Sequence, residues 1–179
     1  NLTIVLIGGR SNMPTFNVVL ISPEIPQNTG NIIRLCANVG AYLHLVKPLG
    51  FKLDDPRLKR ASLDYSDIAS VVVHESTAQL LGSQVINRVF AATTNSIVPY
   101  TQPNYEFGDT IILGQESAGL SDDIIESVLP ENRVHIPMQP ANRSLNLSNA
   151  AAIIVYEMWR QLNFHGAPFS IDNNKSYFS

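Results

Sequence analysis

The sequence predicts an α/β domain built on a largely parallel sheet, because short apolar runs alternate with helical patterns along most of the chain. A second observation is the spacing of Ile32, Leu35, Cys36 and Val39, at i, i+3, i+4 and i+7, which is the stripe of a helix with one buried face. No internal repeat, heptad array or interdomain linker interrupts the pattern.

The runs at 18–21, 43–46, 71–73, 89–92, 111–113 and 134–136 read as strands. The first, Val18-Val19-Leu20-Ile21, opens into Pro23-Glu24-Ile25-Pro26-Gln27-Asn28-Thr29-Gly30-Asn31, a turn-rich loop, and a helix is expected after Gly30. On that helix Asn31, Arg34 and Asn38 fall away from the apolar stripe, toward the loop side or solvent. The run 43–46 is followed by Pro48-Leu49-Gly50-Phe51 and Asp54-Asp55, then by a short helix over 56–63 that carries Arg57, Lys59 and Arg60. A further short helix is expected near 77–81. Ile111-Ile112-Leu113 runs into a glycine-bounded loop, Gly114-Gln115-Glu116-Ser117-Ala118-Gly119-Leu120, with Ser121 placed to cap the next helix. The last run leads through Pro137-Met138 to Ser144-Leu145-Asn146-Leu147-Ser148-Asn149, and a long helix is expected after Ser148, reaching Glu157-Met158-Trp159-Arg160. Ser144, Asn146 and Ser148 alternate with Leu145 and Leu147, so one edge of the segment anchors in a core while the other offers hydrogen-bonding groups to a ligand or a helix N-terminus.

In an open α/β sheet, ligands bind outside the carboxyl ends of the strands. The loops that follow Ile21, Ala92, Leu113 and Ile136 all begin at such ends. No Gly-x-Gly-x-x-Gly turn follows the first strand, which weighs against a dinucleotide site.

Composition narrows the classes further. The 179 residues suit one domain, with 45% hydrophobic and 15% charged side chains, a globular rather than disordered balance. A net charge of −3 argues against wholesale electrostatic attraction to nucleic acid. A local basic patch is still available in Arg57-Leu58-Lys59-Arg60. The single cysteine, Cys36, forbids an intrachain disulfide and lies on the apolar stripe as a core filler. His44, His74, His135 and His165 are scattered without the close spacing of a zinc site, so no metal is expected. The apolar run 2–7 falls far short of the roughly 20 residues of a membrane span. A cytoplasmic protein is expected. Ser11-Asn12-Met13 has the look of a junction ahead of a natural start, so residues 1–13 are expected to be a vector-derived leader, 14–167 the domain, and the Asn-rich 168–179 a flexible tail.

The three loop blocks, taken in order, resemble the three signature motifs of the SPOUT class of RNA methyltransferases. The likeness is strongest to the small bacterial enzymes that methylate the ribose 2′-hydroxyl at the tRNA wobble position. It extends from about Phe16 to about Ala167 and includes Pro48-Leu49-Gly50-Phe51 and Leu63-Asp64-Tyr65 between the first two blocks. The resemblance implies a C-terminal trefoil knot, S-adenosylmethionine as methyl donor, a homodimer and tRNA as partner, with leucine tRNAs carrying C or U at the target. It places the donor at Ala92, Thr93, Gly114, Ile136, Met138, Ser144 and Leu145. It gives Arg34, with Asn28 and Asn31, to the acceptor nucleotide and turnover, and Tyr156 with Arg57, Lys59 and Arg60 to the RNA.

Methyl transfer to an alcohol requires alignment of oxygen, carbon and sulfur and removal of a proton from a weak acid. A guanidinium stays protonated at ordinary pH, so Arg34 suits a phosphate clamp or a partner for developing alkoxide better than it suits a base. Glu116 reads as a brace of the glycine loop. A relative acting on another tRNA position or on ribosomal RNA, and a non-catalytic RNA-binding protein of the same fold, are alternatives that the motifs leave open.

Overall fold

The computed structural model describes residues 4–5, 15–62, 70–83, 86–141 and 144–168. The predicted features at Leu63-Asp64-Tyr65, in 169–179 and in all of 1–13 except 4–5 lie outside these.

One eight-stranded sheet organises the chain. Its strands are β1 (Ile4–Val5), β2 (Asn17–Ile21), β3 (Tyr42–Val46), β4 (Ser70–His74), β5 (Val89–Ala92), β6 (Val98–Pro99), β7 (Thr110–Leu113) and β8 (Arg133–His135), in the order β1-β4-β3-β2-β7-β5-β8-β6. Only β1 runs antiparallel, against β4; the other pairings are parallel, as expected. β1 and β6 were not expected from the sequence. Two residues are too few to display a period of two, and β1 falls in the segment read as a leader.

Helices cover both faces of the sheet: α1 (Pro26–Val39), α2 (Pro56–Ser62), α3 (Thr77–Leu81), α4 (Asp122–Ser127) and α5 (Leu147–Gln161). Along β2, Val18 and Leu20 point into one buried cluster with Ile32, Cys36, Ile154 and Met158, while Val19 and Ile21 point into a second with Leu80, Leu120 and Val128. That alternation explains why the strand reads as unbroken apolar sequence: both of its faces are covered. The stripe of Ile32, Leu35, Cys36 and Val39 is buried as expected. Burial pushes the Cys36 thiol well above its usual range, so it packs as a neutral group. The apolar side of α5, with Ala151, Ile154, Val155 and Met158 fully buried, is covered within the chain itself.

Two helix starts differ from the sequence reading. α1 begins at Pro26, not after Gly30, because proline is well suited to the first turn, where its missing N–H is no loss. Gly30 therefore lies inside the helix. A Cβ there would stand 2.5 Å from Ala61 Cβ and 2.9 Å from the Leu58 carbonyl oxygen, so this glycine lets α2 lie directly on α1. The helix ends at Gly40, at φ 71°, whose N–H closes on the Cys36 carbonyl. α5 starts at Leu147, before Ser148, because Asn146 and not Ser148 is the capping residue. Ser121 does occupy the position before α4, but its side chain makes no capping bond.

Two of the histidines meet inside the sheet region. His44 Nε2 lies 3.2 Å from Asn17 Oδ1, and His44 Nδ1 lies 2.9 Å from His74 Nε2. Since the Asn17 oxygen only accepts, neutral His44 carries its proton on Nε2, and His74 donates from its own Nε2. His74 Nδ1 is then a buried acceptor with no hydrogen-bond partner. Burial, with His74 alongside, pulls the His44 pKa down to about 4, and burial lowers that of His74 as well. Between the ordinary value of about 6.5 and about 4, the unfolded chain binds a proton that folded His44 refuses, so stability rises with pH across that window. Denaturant unfolding followed from pH 7 down to pH 4 is therefore expected to lose up to about 3 kcal/mol, with His44→Gln flattening the decline. An equal decline in the variant would remove the pair as its source.

Candidate active site

A cavity of about 580 Å³ opens at the carboxyl ends of β5, β7 and β8, against the start of α5. This is the expected location for a ligand in a parallel sheet, and the volume suits a small molecule of cofactor size. Its apolar floor includes Leu113, Val134 and Ile154, all buried. Ala92 and Thr93 line it from the end of β5, and Gly114 from the end of β7. Ile136 and Met138 line it beyond β8, and Ser144 and Leu145 ahead of α5. All seven residues that the motif resemblance assigned to the donor thus surround one space.

Glycine at 114 lines the cavity and also admits the other arm of its own loop. A Cβ on Gly114 would stand 2.0 Å from the Gly119 carbonyl carbon and 2.2 Å from the Leu120 nitrogen. Gln115 and Gly119 close the loop with reciprocal N–H to carbonyl bonds of 3.1 and 2.9 Å. Gly119 adopts φ +71°, a left-handed conformation that glycine takes at little cost. A side chain at 114 would therefore distort the loop itself, not merely narrow the cavity.

One chain of polar contacts ties the loops to α1. Glu116 Oε1 accepts from the Ile25 N–H at 3.1 Å and from Asn28 Nδ2 at 3.1 Å, while its Oε2 accepts from the Glu24 N–H at 2.8 Å. Asn28 Oδ1 accepts from Asn146 Nδ2 at 3.0 Å. Asn146 Oδ1 in turn accepts from Ser148 Oγ at 2.7 Å and from the N–H groups of Ser148 and Asn149. An ionised carboxylate offers no proton, so Glu116 dictates which end of the Asn28 amide faces it, and Asn28 dictates the orientation of Asn146. A return contact completes the tie: Glu24 accepts from Ser117, at 2.9 Å from its N–H and 2.8 Å from its Oγ. Glu116 is a brace, as expected, but it braces the first motif as well as its own loop.

The three residues expected at the acceptor nucleotide do not converge on the cavity. Asn28 is buried and lines it; Asn31 is exposed and Arg34 half-buried farther along α1, and neither lines it. Of the expected RNA-facing residues, Lys59 and Arg60 are exposed on α2. Arg57 is exposed but forked onto Asp55, with Nε to Oδ1 at 3.1 Å and Nη2 to Oδ2 at 2.8 Å. Tyr156 is 44% exposed, outside the core, and packs edge-on against Trp159. Sequence reasoning passed over Thr94 and Asn95, which line the cavity beyond Thr93, although polar residues at a strand's carboxyl end were the signal to use. It also passed over Ile25, whose exposure on a rim left no periodic trace. Among the described residues, no group of three or more histidine, cysteine or acidic side chains is placed to hold a metal ion.

Comparison with known proteins matches residues 15–156 to the family described as SpoU rRNA Methylase. A protein of Methylovorus glucosotrophus named tRNA (cytidine(34)-2′-O)-methyltransferase is 51% identical over 152 residues, covering 85% of this chain and 99% of its own. A crystal structure of a candidate RNA methyltransferase from Bacillus anthracis superposes with a TM-score of 0.80 at 40% identity, over 87% of this chain and 99% of the other. A structure reported for 2-OH methylation of C/U34 on tRNA gives a TM-score of 0.78 at 38% identity, over 83% of this chain and 96% of the other. The AviRb methyltransferase of Streptomyces viridochromogenes, solved with AdoMet, shares the fold at a TM-score of 0.73 and 24% identity, over 86% of this chain and 63% of its own.

Replacing Glu116 by Gln keeps the shape but puts an NH₂ group where one oxygen now accepts, so at least one of the N–H donors around it loses its partner. Hydrogen bonds to charged groups are worth about 1.5–3 kcal/mol. Chemical denaturation is expected to show Glu116→Gln destabilised by about 1–3 kcal/mol. Unchanged stability would mean that the brace carries little of the loop's order.

Proposed function

This chain belongs to the SpoU rRNA Methylase family, and from that premise we propose that it transfers a methyl group from S-adenosylmethionine to the ribose 2′-hydroxyl of the wobble nucleotide of tRNA. The observation that carries the reading is the cavity at the strand ends, lined from three separate loops and tied to α1 through Glu116, Asn28 and Asn146. The names of the full-length relatives support cytidine at position 34, and the 38%-identical structure concerned with C/U34 supports including uridine. Leucine tRNAs are the isoacceptors we propose.

When bound, S-adenosylmethionine supplies an electrophilic methyl group on a sulfonium. Its size and mixed polarity fit the cavity, where Leu113, Val134 and Ile154 form an apolar floor. We assign donor binding to Ala92, Thr93, Gly114, Ile136, Met138, Ser144 and Leu145. Asn28, oriented from both sides, holds the first loop at the cavity edge. Arg34 and Asn31 lie farther along the same helix, where we place the approach of the acceptor nucleotide. There the Arg34 guanidinium clamps phosphate or stabilises charge growing on the ribose oxygen, without acting as the base. The basic side of α2, together with Tyr156, is the surface proposed for the RNA. The same reading includes a C-terminal trefoil knot and a cytoplasmic homodimer that presents the surface twice. No helix among the described residues is long and apolar enough to cross a membrane.

The test is incubation of the protein with labelled S-adenosylmethionine and leucine tRNA transcripts bearing C34 or U34, followed by nucleoside mass spectrometry. A 2′-O-methyl group at position 34 is expected; methylation only of ribosomal RNA, or none, would overturn the assignment. Arg34→Ala should bind S-adenosylmethionine within a few-fold of wild type yet methylate roughly 100-fold more slowly, the scale of a lost transition-state contact. Arg34→Lys should stay impaired because it lacks the planar fork. Near wild-type turnover in Arg34→Ala would hand the acceptor role to Asn28 or Asn31.

A further inference from the structure

The chain is acidic overall, yet residues 50–62 carry four cations and two carboxylates. What matters to a polyanion is which of those cations are already neutralised. Among the described residues, Lys47 is paired with Glu75, Arg57 with Asp55, Arg88 with Asp109 and Arg160 with Glu157. Lys52, Lys59 and Arg60 are exposed and form no ion pair with any described residue.

Their placement is set by the backbone. The Asp55 N–H bonds to the Lys52 carbonyl at 3.0 Å, and the Lys59 N–H bonds to the Asp55 carbonyl at 3.1 Å, so the turn carrying Lys52 runs directly into α2. Leu58 and Ser62 face inward, which turns Lys59 and Arg60 outward. At its other end the segment rests on the first motif. The Gly50 N–H bonds to the Pro23 carbonyl at 2.9 Å, and a Cβ on Gly50 would stand 2.7 Å from Glu24 Cα. Glu24 holds Ser117 at the cavity rim. Unpaired positive charge therefore leads away from the mouth of the cavity along a fixed path.

We infer that Lys52, Lys59 and Arg60 form a strip that binds the RNA phosphate backbone beside the cavity, and that Asp55 holds Arg57 out of that strip. The inference rests on the proposed RNA substrate and assigns its electrostatic footprint. An internal ion pair brings no net charge to a phosphate and releases no counterion, so Arg57 adds nothing while its fork is closed. Lys52 belongs to the strip although it stands outside the helical basic run that composition points to. Asp55 also caps α2, accepting from the Arg57 N–H at 2.8 Å. Asparagine caps equally well, so Asp55→Asn removes the charge and keeps the helix start.

Binding of a tRNA transcript is to be followed by fluorescence anisotropy as potassium chloride rises from 50 to 200 mM, with circular dichroism confirming the fold of each variant. The logarithmic salt slope changes by about 0.7–0.9 per phosphate contact. The triple variant Lys52→Ala, Lys59→Ala, Arg60→Ala should lower it by about 2, so that this salt step weakens wild-type binding roughly 16-fold more than variant binding. Asp55→Asn should steepen the slope by about 1 as Arg57 opens, and Lys47→Ala should leave it unchanged. A wild-type slope in the triple variant, an unchanged slope in Asp55→Asn, or a loss in Lys47→Ala equal to that of the triple variant would overturn the strip while leaving the substrate in place. A wild-type protein that binds no tRNA would overturn both.

Discussion

The site depends on one carboxylate that can only accept. Glu116 collects two backbone N–H groups and one side-chain amide from the first motif, and through Asn28 it fixes Asn146, which caps the last helix. Three loops that share no strand pairing with one another beyond the sheet are thereby set in register by hydrogen bonds whose directions follow from a single acceptor-only group. The apolar sheet places the loops near each other to within the length of a side chain. The polar chain sets the final geometry at the cavity edge.

Much of this was legible in the sequence, and the exceptions have physical causes. The stripe at 32, 35, 36 and 39 identified α1 because periodic burial leaves a periodic trace. The cavity lining was legible through the three motifs in register, which brought residues from 92 to 145 to one space. Gly30 misled because a glycine that admits a neighbouring helix has the same letter as a glycine that makes a turn. At Gly114 the missing Cβ makes room for the other arm of its own loop, which the letter alone does not distinguish from room for a ligand. β1 and β6 left no signal, since pairing of two residues is decided by the neighbouring strand rather than by local composition.

Charge distribution adds a layer that composition hides. A chain of net charge −3 gives no hint of nucleic-acid affinity, yet its structure pairs away several cations and leaves others facing solvent on and just before α2. Internal pairing, not the count of basic residues, decides how the surface presents itself to a polyanion. His44 and His74 show the converse case inside the fold, where burial keeps ionisable rings neutral so that they serve as hydrogen-bonding groups.

The links that close the site span long stretches of chain. Asn28 reaches Glu116 across 88 positions and Asn146 across 118. Contacts of such separation carry a high loop-closure cost and tend to form late. A polypeptide emerging from the ribosome can pair β2 with β3 and cover them with α1 well before α5 has been made. Asn28 therefore leaves the ribosome well before its partners Glu116 and Asn146, and the cavity wall at Ile154 follows with α5. A chain cut ahead of Asn146 would lose Ile154 from the wall of the cavity and the amide that donates to Asn28 Oδ1 together.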